Sequence, residues 1–328
     1  MVDFIDDTID FAAYLRDTDA MTKVKPARDF VQDAKARLRA KAKEKRTFLP
    51  WPKCNASFEF RPGEVTVWAG QNGHGKSEIT TQIALSLVGQ GEKVCIASFE
   101  MKPVVTIGRM VRMFAQTNPF CPEYQSDAGM DVLDALYDEF GEWTDGRMWL
   151  YDQTGTAQSV TVLGMVKYCA RELGITHVFI DSLMKCVADE DDYNGQKRFV
   201  DQLCAAARDC DIHIHLVHHL KKPPKEADMP DKHDTKGSGS ITDQVDNLLM
   251  VWRNKPKEDA GRADPMMNKK KTEPDCYLLC RKQRNYEGSA DGEPMISLWR
   301  HRDAGLFVGE ENGTAPFFPN YPHLETTF

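Results

Sequence analysis

The chain has 328 residues, of which 41% are hydrophobic, enough for one sizeable core with terminal extensions or for two domains. No run of residues approaches the ~18 consecutive apolar positions that a membrane-spanning helix needs, so the sequence predicts no transmembrane segment. The formal net charge of −8 argues against a surface that coats nucleic acid throughout, although a local basic channel remains compatible with it.

The cysteine pattern and residues 1–10 indicate the cellular compartment of the protein. The nine cysteines are scattered singly, without a Cys-x-x-Cys pair, and Cys276 and Cys280 lie four positions apart on one predicted strand. This spacing disfavours a zinc module and indicates reduced thiols. Residues 1–10 include acidic side chains and no basic ones, unlike a secretory signal. We therefore expect a cytoplasmic protein.

The N-terminal stretch, residues 1–47, divides into an acidic and a basic part. Residues 1–25 are acidic and are predicted to be irregular. From Pro26 onward, alanine, leucine, lysine and arginine predict a helix, and a proline suits its first turn. Seven of the residues from 35 to 46 are lysine or arginine. Two interpretations remain open: a solvated helix, or an arm that packs on a neighbouring subunit or on nucleic acid.

Between residues 48 and 308, apolar strands alternate with helices. The predicted strands are 64–69, 93–99, 148–151, 177–180, 212–218, 247–252, 276–284 and 295–299. The predicted helices are one that starts at Gly75 and the ranges 104–115, 130–140, 160–173 and 196–209. This alternation predicts an α/β domain with a mostly parallel sheet and helices on both faces. The late strands have no helices between them, so we expect antiparallel pairing there.

Two further stretches complete the predicted organisation. Residues 255–275 are charged, contain proline and are predicted to be exposed. Residues 309–328 hold prolines and aromatic residues and are predicted to form a C-terminal tail. Such a tail suits the docking of a partner, and the alternative is a loosely ordered chain end.

An octapeptide after the first of these strands fits the phosphate-binding pattern G-x-x-x-x-G-K-[ST]. It reads Gly70-Gln71-Asn72-Gly73-His74-Gly75-Lys76-Ser77. The glycines let the backbone wind tightly with its N–H groups pointing inward, and the start of the next helix adds positive potential. Lys76 is expected to bridge the β- and γ-phosphates, and the Ser77 hydroxyl is expected to bind Mg²⁺. The pattern predicts ATP, or another NTP or dNTP, as the ligand.

Two acidic residues at strand ends would complete the chemistry of this loop. Asp181 directly follows the strand 177–180, at the edge where parallel sheets bind ligands, and is predicted to hold Mg²⁺. Glu100 follows the strand 93–99, which is expected beside the P-loop strand, and is predicted to hold the attacking water. The alternatives are an ordinary strand-ending aspartate and a surface glutamate that opens a loop.

The set of motifs resembles the hexameric replicative DNA helicases of superfamily 4, a RecA-fold group that includes DnaB, Twinkle and bacteriophage helicase–primases. The resemblance spans residues 51–307. Besides the P-loop, it depends on SFEM at 98–101, IDS at 180–182, VHHLK at 217–221, KGSGS at 236–240, WRN at 252–254 and RKQR at 281–284. The P-loop occurs in many families, whereas VHHLK followed by KGSGS is far more discriminating.

The resemblance implies a homo-oligomeric ring, usually a hexamer, that holds nucleotide between subunits. Glu100 would be the catalytic carboxylate, and His219 would sense the γ-phosphate and relay its state to DNA-binding loops. Arg284 would be the arginine finger that reaches a neighbour's nucleotide, with Lys282 on the same strand face. Trp299 ends a late strand and would either stack on the nucleotide base or belong to the core.

The histidines at positions 213, 215, 218 and 219 raise the question of a metal site. His213 and His215 would share one strand face, but no cysteine or acidic residue has ligand spacing nearby. We therefore interpret the segment as a buried strand that ends in the phosphate sensor.

The resemblance also implies loops that line a channel for single-stranded DNA. One loop precedes KGSGS, and a second candidate follows Asp181. The candidate contacts are Lys185, Asn194, Lys221, Lys222, Lys225, Lys236 and Gly237. Acidic residues nearly cancel these charges, so a plain solvated loop remains the alternative.

Two functions from different classes follow. The first is an NTP-dependent replicative helicase that translocates 5′ to 3′ on single-stranded DNA and unwinds duplex. A separate primase, polymerase or loader is a further candidate partner, and no membrane partner is expected. The basic stretch before residue 47 would then be a linker helix that docks on the adjacent subunit. The second function is a RecA-type, nucleotide-gated assembly on single-stranded DNA without unwinding activity.

Overall fold

One ten-stranded sheet organises the chain, in a computed structural model that describes residues 3–5, 27–28, 31–32, 34–36, 46–187, 192–220, 229–230, 240–263, 270–285, 295–316 and 318–320. Its strands are β1 (Asp3–Ile5), β2 (Val65–Gly70), β3 (Val94–Ser98), β4 (Met148–Tyr151), β5 (His177–Asp181), β6 (His213–His219), β7 (Asn247–Arg253), β8 (Cys276–Gln283), β9 (Met295–His301) and β10 (Leu306–Val308). Their order in the sheet is β1-β4-β3-β5-β6-β2-β7-β8-β9-β10.

The type of strand pairing changes once across the sheet. Every neighbouring pair from β1 to β7 is parallel, whereas β7/β8, β8/β9 and β9/β10 are antiparallel. The parallel strands β2 to β5 are buried along their whole length, as expected for a sheet that is covered on both faces. The predicted fold class, a mostly parallel sheet with antiparallel late strands, is confirmed.

The helices cover both faces of this sheet. They are α1 (Lys76–Gly89), α2 (Pro103–Ala115), α3 (Asp127–Thr144), α4 (Ser159–Glu172), α5 (Tyr193–Cys210), α6 (Ser240–Gln244) and α7 (Lys255–Ala263). One hydrophobic cluster joins one sheet face to α4 and α5, and a second joins the opposite face to α1, α2 and α3. Alternate residues of β2 serve the two clusters, since Val67 and Ala69 point into the first and Trp68 into the second.

The structure corrects the expected neighbours of the P-loop strand. Strand β3, which leads to Glu100, was expected beside β2, but β5 and β6 lie between them. Strand β2 instead pairs with β6 on one side and β7 on the other. The expectation was wrong because consecutive strands in the chain need not be adjacent when the crossover helices carry the chain past intervening positions.

Three short elements differ from the sequence interpretation. The predicted irregular start contains strand β1, which pairs with β4, and strand β10 also went unpredicted; both span only three residues, too few for a periodic signal. Helix α7 lies in the charged stretch that was predicted to be exposed. It has no buried residue, but six of its nine residues are half-buried, so the predicted exposure is only partly confirmed, and the helix was missed. Pro256 is compatible with a helix because it lies in the first turn.

The two chain ends contribute differently to the described structure. Positions 27–28, 31–32 and 34–36 are helical, as predicted for the stretch that begins at Pro26. Phe318 is fully buried in the second cluster, so the first part of the predicted C-terminal tail packs on the domain itself. Residues 321–328, for which partner docking was also considered, lie outside the described residues. The described part of the chain includes no helix that is long and apolar enough to cross a membrane.

Buried histidines on β5 and β6 form hydrogen bonds with each other and with Trp68 of the P-loop strand. His215 is fully buried, and its ring stacks on that of Phe179, with 3.9 Å between centroids. Its Nδ1 accepts the Trp68 Nε1–H at 3.2 Å, so its Nε2 must carry the proton that it donates to His177 Nδ1 at 3.1 Å. Burial is the main cause that lowers the pKa of His215 well below its usual value.

His213 is held in the same neutral state by two other partners. Its Nδ1 lies 2.7 Å from the carbonyl oxygen of Arg61, which can only accept, so Nδ1 donates and Nε2 accepts the Thr66 hydroxyl proton at 2.8 Å. Burial lowers the pKa of His213 to about 4, against the opposing effect of the Arg61 carbonyl. The two histidines share one strand face, as predicted, and bond to neighbours that fix their tautomers.

These pKa shifts predict that stability falls with acidification. Between pH 6.5 and 4 the unfolded chain protonates His213 while the folded chain keeps it neutral. The unfolded state therefore binds more protons, and the free energy of unfolding decreases as the pH falls, by about 3 kcal/mol for this histidine over the window. Urea unfolding at several pH values from 7.5 to 4.5 measures the slope.

The matched control uses a histidine outside the network. His213→Gln is expected to flatten the pH dependence of the free energy of unfolding, whatever its effect on stability at pH 7. His301→Gln, at a partly exposed histidine of β9, is expected to keep the wild-type slope. Equal slopes in wild type and His213→Gln would show that the buried neutral histidine does not carry the effect.

Candidate functional site

The carboxyl ends of the parallel strands gather the predicted nucleotide-site residues at one edge of the sheet. The backbone of Leu220 donates to the carbonyl of Gly70 at 3.2 Å, which joins the end of β6 to the start of the P-loop. The backbone of Phe99 donates to the carbonyl of Asp181 at 2.8 Å, which joins the ends of β3 and β5. Glu100 therefore reaches the same edge as the P-loop although β3 and β2 are not adjacent.

The P-loop has the backbone shape that its glycines permit. Gly73 and Gly75 have φ angles of +77° and +91°, a region that residues with a Cβ rarely adopt. Gly70 is needed for close approach, because a Cβ there would lie 2.9 Å from the Val251 carbonyl oxygen and 3.0 Å from Lys76 Cγ. The loop leads directly into the 14-residue helix α1, whose first N–H groups have no partner within the helix. This arrangement provides a cradle for phosphate.

Lys76 extends back along the loop. Its Nζ donates to the carbonyl oxygens of Gly70 at 2.8 Å and Gln71 at 3.0 Å, and the residue is only 6% exposed. Burial lowers the pKa of Lys76 to about 8, while Asp181 and Glu100 act in the opposite direction. The side chain therefore remains mostly protonated at neutral pH and supplies a positive charge inside the phosphate cradle.

Ser77 and Asp181, the two predicted metal ligands, contact each other directly. The Ser77 hydroxyl donates to Asp181 Oδ2 at 2.8 Å. Burial raises the pKa of Asp181, the hydrogen bond from Ser77 lowers it, and the nearby charge of Glu100 raises it further. A hydroxyl and a carboxylate oxygen are hard ligands that fit Mg²⁺. Within the described ranges, no group of three or more His, Cys, Asp or Glu side chains could hold a metal. A Mg²⁺ ion at Ser77 and Asp181 would take its further ligands from substrate phosphates and water.

Glu100 is held in the ionised form at the same edge. The Ser182 hydroxyl donates to its Oε1 at 3.0 Å, and His219 Nε2 lies 3.5 Å from the same oxygen. The interaction with His219 is the largest cause that lowers the pKa of Glu100 to about 2, with Ser182 helping and burial opposing. At 3.5 Å the histidine contact is mainly electrostatic. The Nδ1 atom of His219 is buried and has no hydrogen-bond partner among the residues that the structure describes.

Arg284 and Lys282 lie together at the opposite edge of the sheet. Arg284 bonds through its backbone N–H to the carbonyl of Asp246 at 2.9 Å, and the backbone N–H of Asp246 bonds to Val65, the first residue of β2. The P-loop begins at the last residue of β2, and six strand residues place the two ends about 16 Å apart. Lys282 Nζ donates to two carbonyls of the segment that also accepts Arg284. The predicted arginine finger therefore points away from the phosphate loop of its own chain.

The other predicted site residues have mixed outcomes. The Trp299 indole N–H donates to the Thr272 carbonyl at 3.2 Å, and Lys53 Nζ lies 5.3 Å from its ring centroid, so one ring face is already covered. Base stacking by Trp299 stays a prediction. Among the described contacts, the aromatic ring against the P-loop belongs to Phe307, 3.6 Å from where a Cβ of Gly75 would lie.

The predicted DNA contacts are only partly described. Lys185 ends a short 3-10 helix, Leu183–Lys185, and its charge helps to lower the pKa of Glu100, which places it near the nucleotide site. Asn194 is exposed in the first turn of α5. The remaining candidates lie outside the described residues, and they are Lys221, Lys222, Lys225, Lys236 and Gly237.

The structure adds residues that sequence reasoning did not assign. Arg253 supports the P-loop from β7: its Nη1 donates to the Gly73 carbonyl at 3.0 Å, and its backbone N–H donates to His74 Nδ1 at 3.3 Å. Glu78, in the first turn of α1, accepts two hydrogen bonds from Arg300 at 3.0 and 3.3 Å. An acidic residue directly after Lys76-Ser77 was the available signal, because a negative charge beside a phosphate loop needs compensation.

Comparisons with known proteins agree with this geometry. Residues 55–225 match a family model described as an AAA domain. The chain is similar to a solved structure described as an ATPase domain, with a TM-score of 0.63 and 17% identity over 77% of this chain and 86% of that one. It is also similar to a DnaB-like replicative helicase, described with its interactions with primase, with a TM-score of 0.68 and 16% identity over 90% of this chain and 68% of that one. At such identities the structural likeness shows the fold.

The pair Glu78–Arg300 yields a prediction on nucleotide affinity. Arg300→Gln is expected to weaken NTP binding about tenfold, because it removes the hydrogen-bonded cation of Glu78 beside the phosphate cradle and leaves only the electrostatic effect of Arg109 and Arg112. In a Glu78→Gln background, the same Arg300→Gln change is expected to have little effect. Fluorescence anisotropy with a labelled NTP measures the Kd of all four proteins.

Arg262→Gln serves as a matched control, since Arg262 is an exposed arginine of α7 that pairs with Asp259 of the same helix and not with Glu78. It is expected to bind nucleotide as the wild type does. Equal weakening by Arg300→Gln in both backgrounds would contradict the compensation of Glu78 by Arg300.

Proposed function

This chain belongs to the AAA-domain family, and we propose that it is the motor of an NTP-dependent, ring-shaped DNA helicase that translocates 5′ to 3′ on single-stranded DNA and unwinds duplex. One observation carries the proposal: Lys76, Ser77, Asp181 and Glu100 converge at one sheet edge, whereas Arg284 lies at the opposite edge. Each chain would therefore hold every group for phosphoryl transfer except an arginine. Its own Arg284 would complete the site of a second copy.

In this proposal the P-loop holds the triphosphate. The loop N–H groups and the start of α1 surround the phosphates, and Lys76 exchanges the carbonyls of Gly70 and Gln71 for phosphate oxygens. Ser77 and Asp181 would hold Mg²⁺, which when bound neutralises charge on the β- and γ-phosphate oxygens. The raised pKa of Asp181 is compatible with this role, because a nearby cation favours the ionised carboxylate.

Glu100 acts on the water rather than on the phosphate. With its pKa lowered to about 2, the carboxylate is ionised at neutral pH and accepts a hydrogen bond from the attacking water. This orients the oxygen lone pair towards the γ-phosphorus, while the bond to the β-phosphate oxygen breaks. A carboxylate of such low basicity orients the water and takes up its proton only as the new P–O bond forms. His219, in contact with Glu100, would report the occupancy of this site to the DNA loops.

The site is completed from a neighbouring subunit. Because Arg284 lies about 16 Å from its own P-loop along β2, it serves a nucleotide only across a subunit boundary. An arginine that approaches in trans stabilises the charge that spreads over the transferred phosphoryl group. A homo-oligomeric ring, for which the resemblance implies a hexamer, satisfies this requirement at every site. The similarity to a helicase described with its primase also supports a primase as a candidate partner.

The helicase activity can be tested with a forked duplex. Wild-type protein with NTP and Mg²⁺ is expected to open a fork that carries a 5′ single-stranded tail, with NTP hydrolysis stimulated by the DNA. Glu100→Gln is the control, because it keeps the size of the side chain. We expect it to bind nucleotide with unchanged Kd and to lose about 10²- to 10⁴-fold in turnover. Filament formation with strand exchange and no fork opening would favour the RecA-type assembly instead.

The division of the site between subunits predicts rescue in mixtures. Lys76→Ala and Arg284→Ala are each expected to abolish hydrolysis, because one removes the phosphate cation and the other the finger. In a mixed ring, an Arg284→Ala subunit provides an intact P-loop and its Lys76→Ala neighbour provides an intact Arg284. Steady-state NTP hydrolysis across mixing ratios is expected to pass through a maximum. A flat profile at every ratio would contradict action in trans.

A further inference from the structure

A buried carboxylate connects Arg284 with the P-loop strand of its own chain. Asp246 is 3% exposed and lies between α6 and β7. Its Oδ1 accepts from Arg284 Nη1 at 3.0 Å, and its Oδ2 accepts the backbone N–H of Val65 at 3.0 Å. Arg208, from the last turns of α5, adds a more distant cation at 3.8 Å. One carboxylate oxygen of Asp246 therefore binds Arg284, and the other binds the first residue of β2.

The remaining contacts of Arg284 leave it adjustable. Its Nη2 donates to the carbonyls of Asp243 and Gln244 at 3.1 Å each, and its side chain is 40% exposed. Neutral carbonyls hold a guanidinium less firmly than a carboxylate does. Without the charge of Asp246, the Arg284 side chain would stay at the sheet edge opposite the P-loop, but its guanidinium would no longer be held in one orientation.

We propose that Asp246 is the positioning residue of the arginine finger, an inference that rests on the proposed function. Asp246 fixes the direction in which Arg284 points towards the neighbour's triphosphate. Its hydrogen bond to Val65 also connects Arg284 to β2, the strand that carries the subunit's own P-loop. The finger acts on charge that develops in the transition state, so its direction matters for turnover more than for binding of the substrate. Asp246 itself touches neither substrate nor metal.

The expected effect of Asp246→Asn follows from this division. The amide keeps the shape of the side chain but lacks the charge that holds Arg284. We expect kcat for DNA-stimulated hydrolysis to fall about 10- to 100-fold, because a misdirected catalytic group loses this much, while KM for NTP stays unchanged. Arg208→Gln is the matched control, since it removes the other cation near Asp246, and it is expected to leave both constants unchanged.

Mixing experiments separate positioning of the finger from damage to the P-loop strand. If Asp246 acts through Arg284, an Asp246→Asn subunit has an intact P-loop, and mixing it with Lys76→Ala protein restores hydrolysis. Mixing it with Arg284→Ala protein does not, because both then lack a working finger. The reverse pattern, with rescue by Arg284→Ala and none by Lys76→Ala, would show that Asp246 matters for its own P-loop and would overturn the inference. Wild-type kcat in Asp246→Asn would overturn it too.

Two further readouts keep the test decisive. If circular dichroism shows that Asp246→Asn does not fold, Asp246→Glu takes its place, because it keeps the charge and displaces it by one methylene. A folded Asp246→Glu protein is then expected to lose kcat and to be rescued by Lys76→Ala, and wild-type kcat would contradict the proposal. The mixture of Lys76→Ala with Arg284→Ala is run in parallel. Its failure would refute the shared site, whereas its success beside a failed Asp246 mixture refutes only this inference.

Discussion

Strand β2 is the constraint on which both halves of the proposed mechanism depend. It is fully buried between β6 and β7, and its last residue, Gly70, allows the Val251 carbonyl and Lys76 to approach too closely for any side chain. Its first residue, Val65, bonds to the carboxylate of Asp246. The strand thereby fixes the phosphate loop at one edge of the sheet and the support of Arg284 at the other. A paired central strand is rigid enough to keep both ends in a constant relation.

The two carboxylates at the phosphate edge are driven apart in acidity by their surroundings. The pKa of Glu100 is lowered to about 2 by His219 and Ser182, whereas burial and the nearby charge of Glu100 raise the pKa of Asp181. Neighbouring acids with opposite shifts usually have different tasks. An ionised Glu100 suits the orientation of water, and a buried Asp181 that gains from a nearby cation suits the metal side. The positive charge of Lys76 interacts with both carboxylates.

The sequence predicted whatever depends on local pattern or fixed spacing. The P-loop, Asp181 at the end of a strand and the antiparallel late strands all belong to this class, because a turn needs its glycines and a buried strand needs its apolar run. Contacts between residues far apart in the sequence could not be predicted. Asp246 bonds to Val65, 181 positions away, and Arg300 bonds to Glu78, 222 positions away. Periodicity reports which face is buried but not what buries it. For the same reason the predicted pairing of β3 with β2 was wrong, because no local sequence pattern shows where in the sheet a crossover connection places the next strand.

A divided site needs a finger that is held but can still respond. Arg284 has one charged partner, Asp246, and two neutral carbonyl partners, and hydrogen bonds to charged groups contribute about 1.5–3 kcal/mol each. In the proposed ring, a neighbour's triphosphate, with several negative oxygens, would attract the exposed part of the guanidinium while Asp246 retains the rest. Because Asp246 also holds the start of β2, a displacement of that strand would move Arg284, and a displacement of Arg284 would act on the strand. In the proposed ring, two sites that bias one shared element would be coupled in both directions, as ordered hydrolysis round the ring requires.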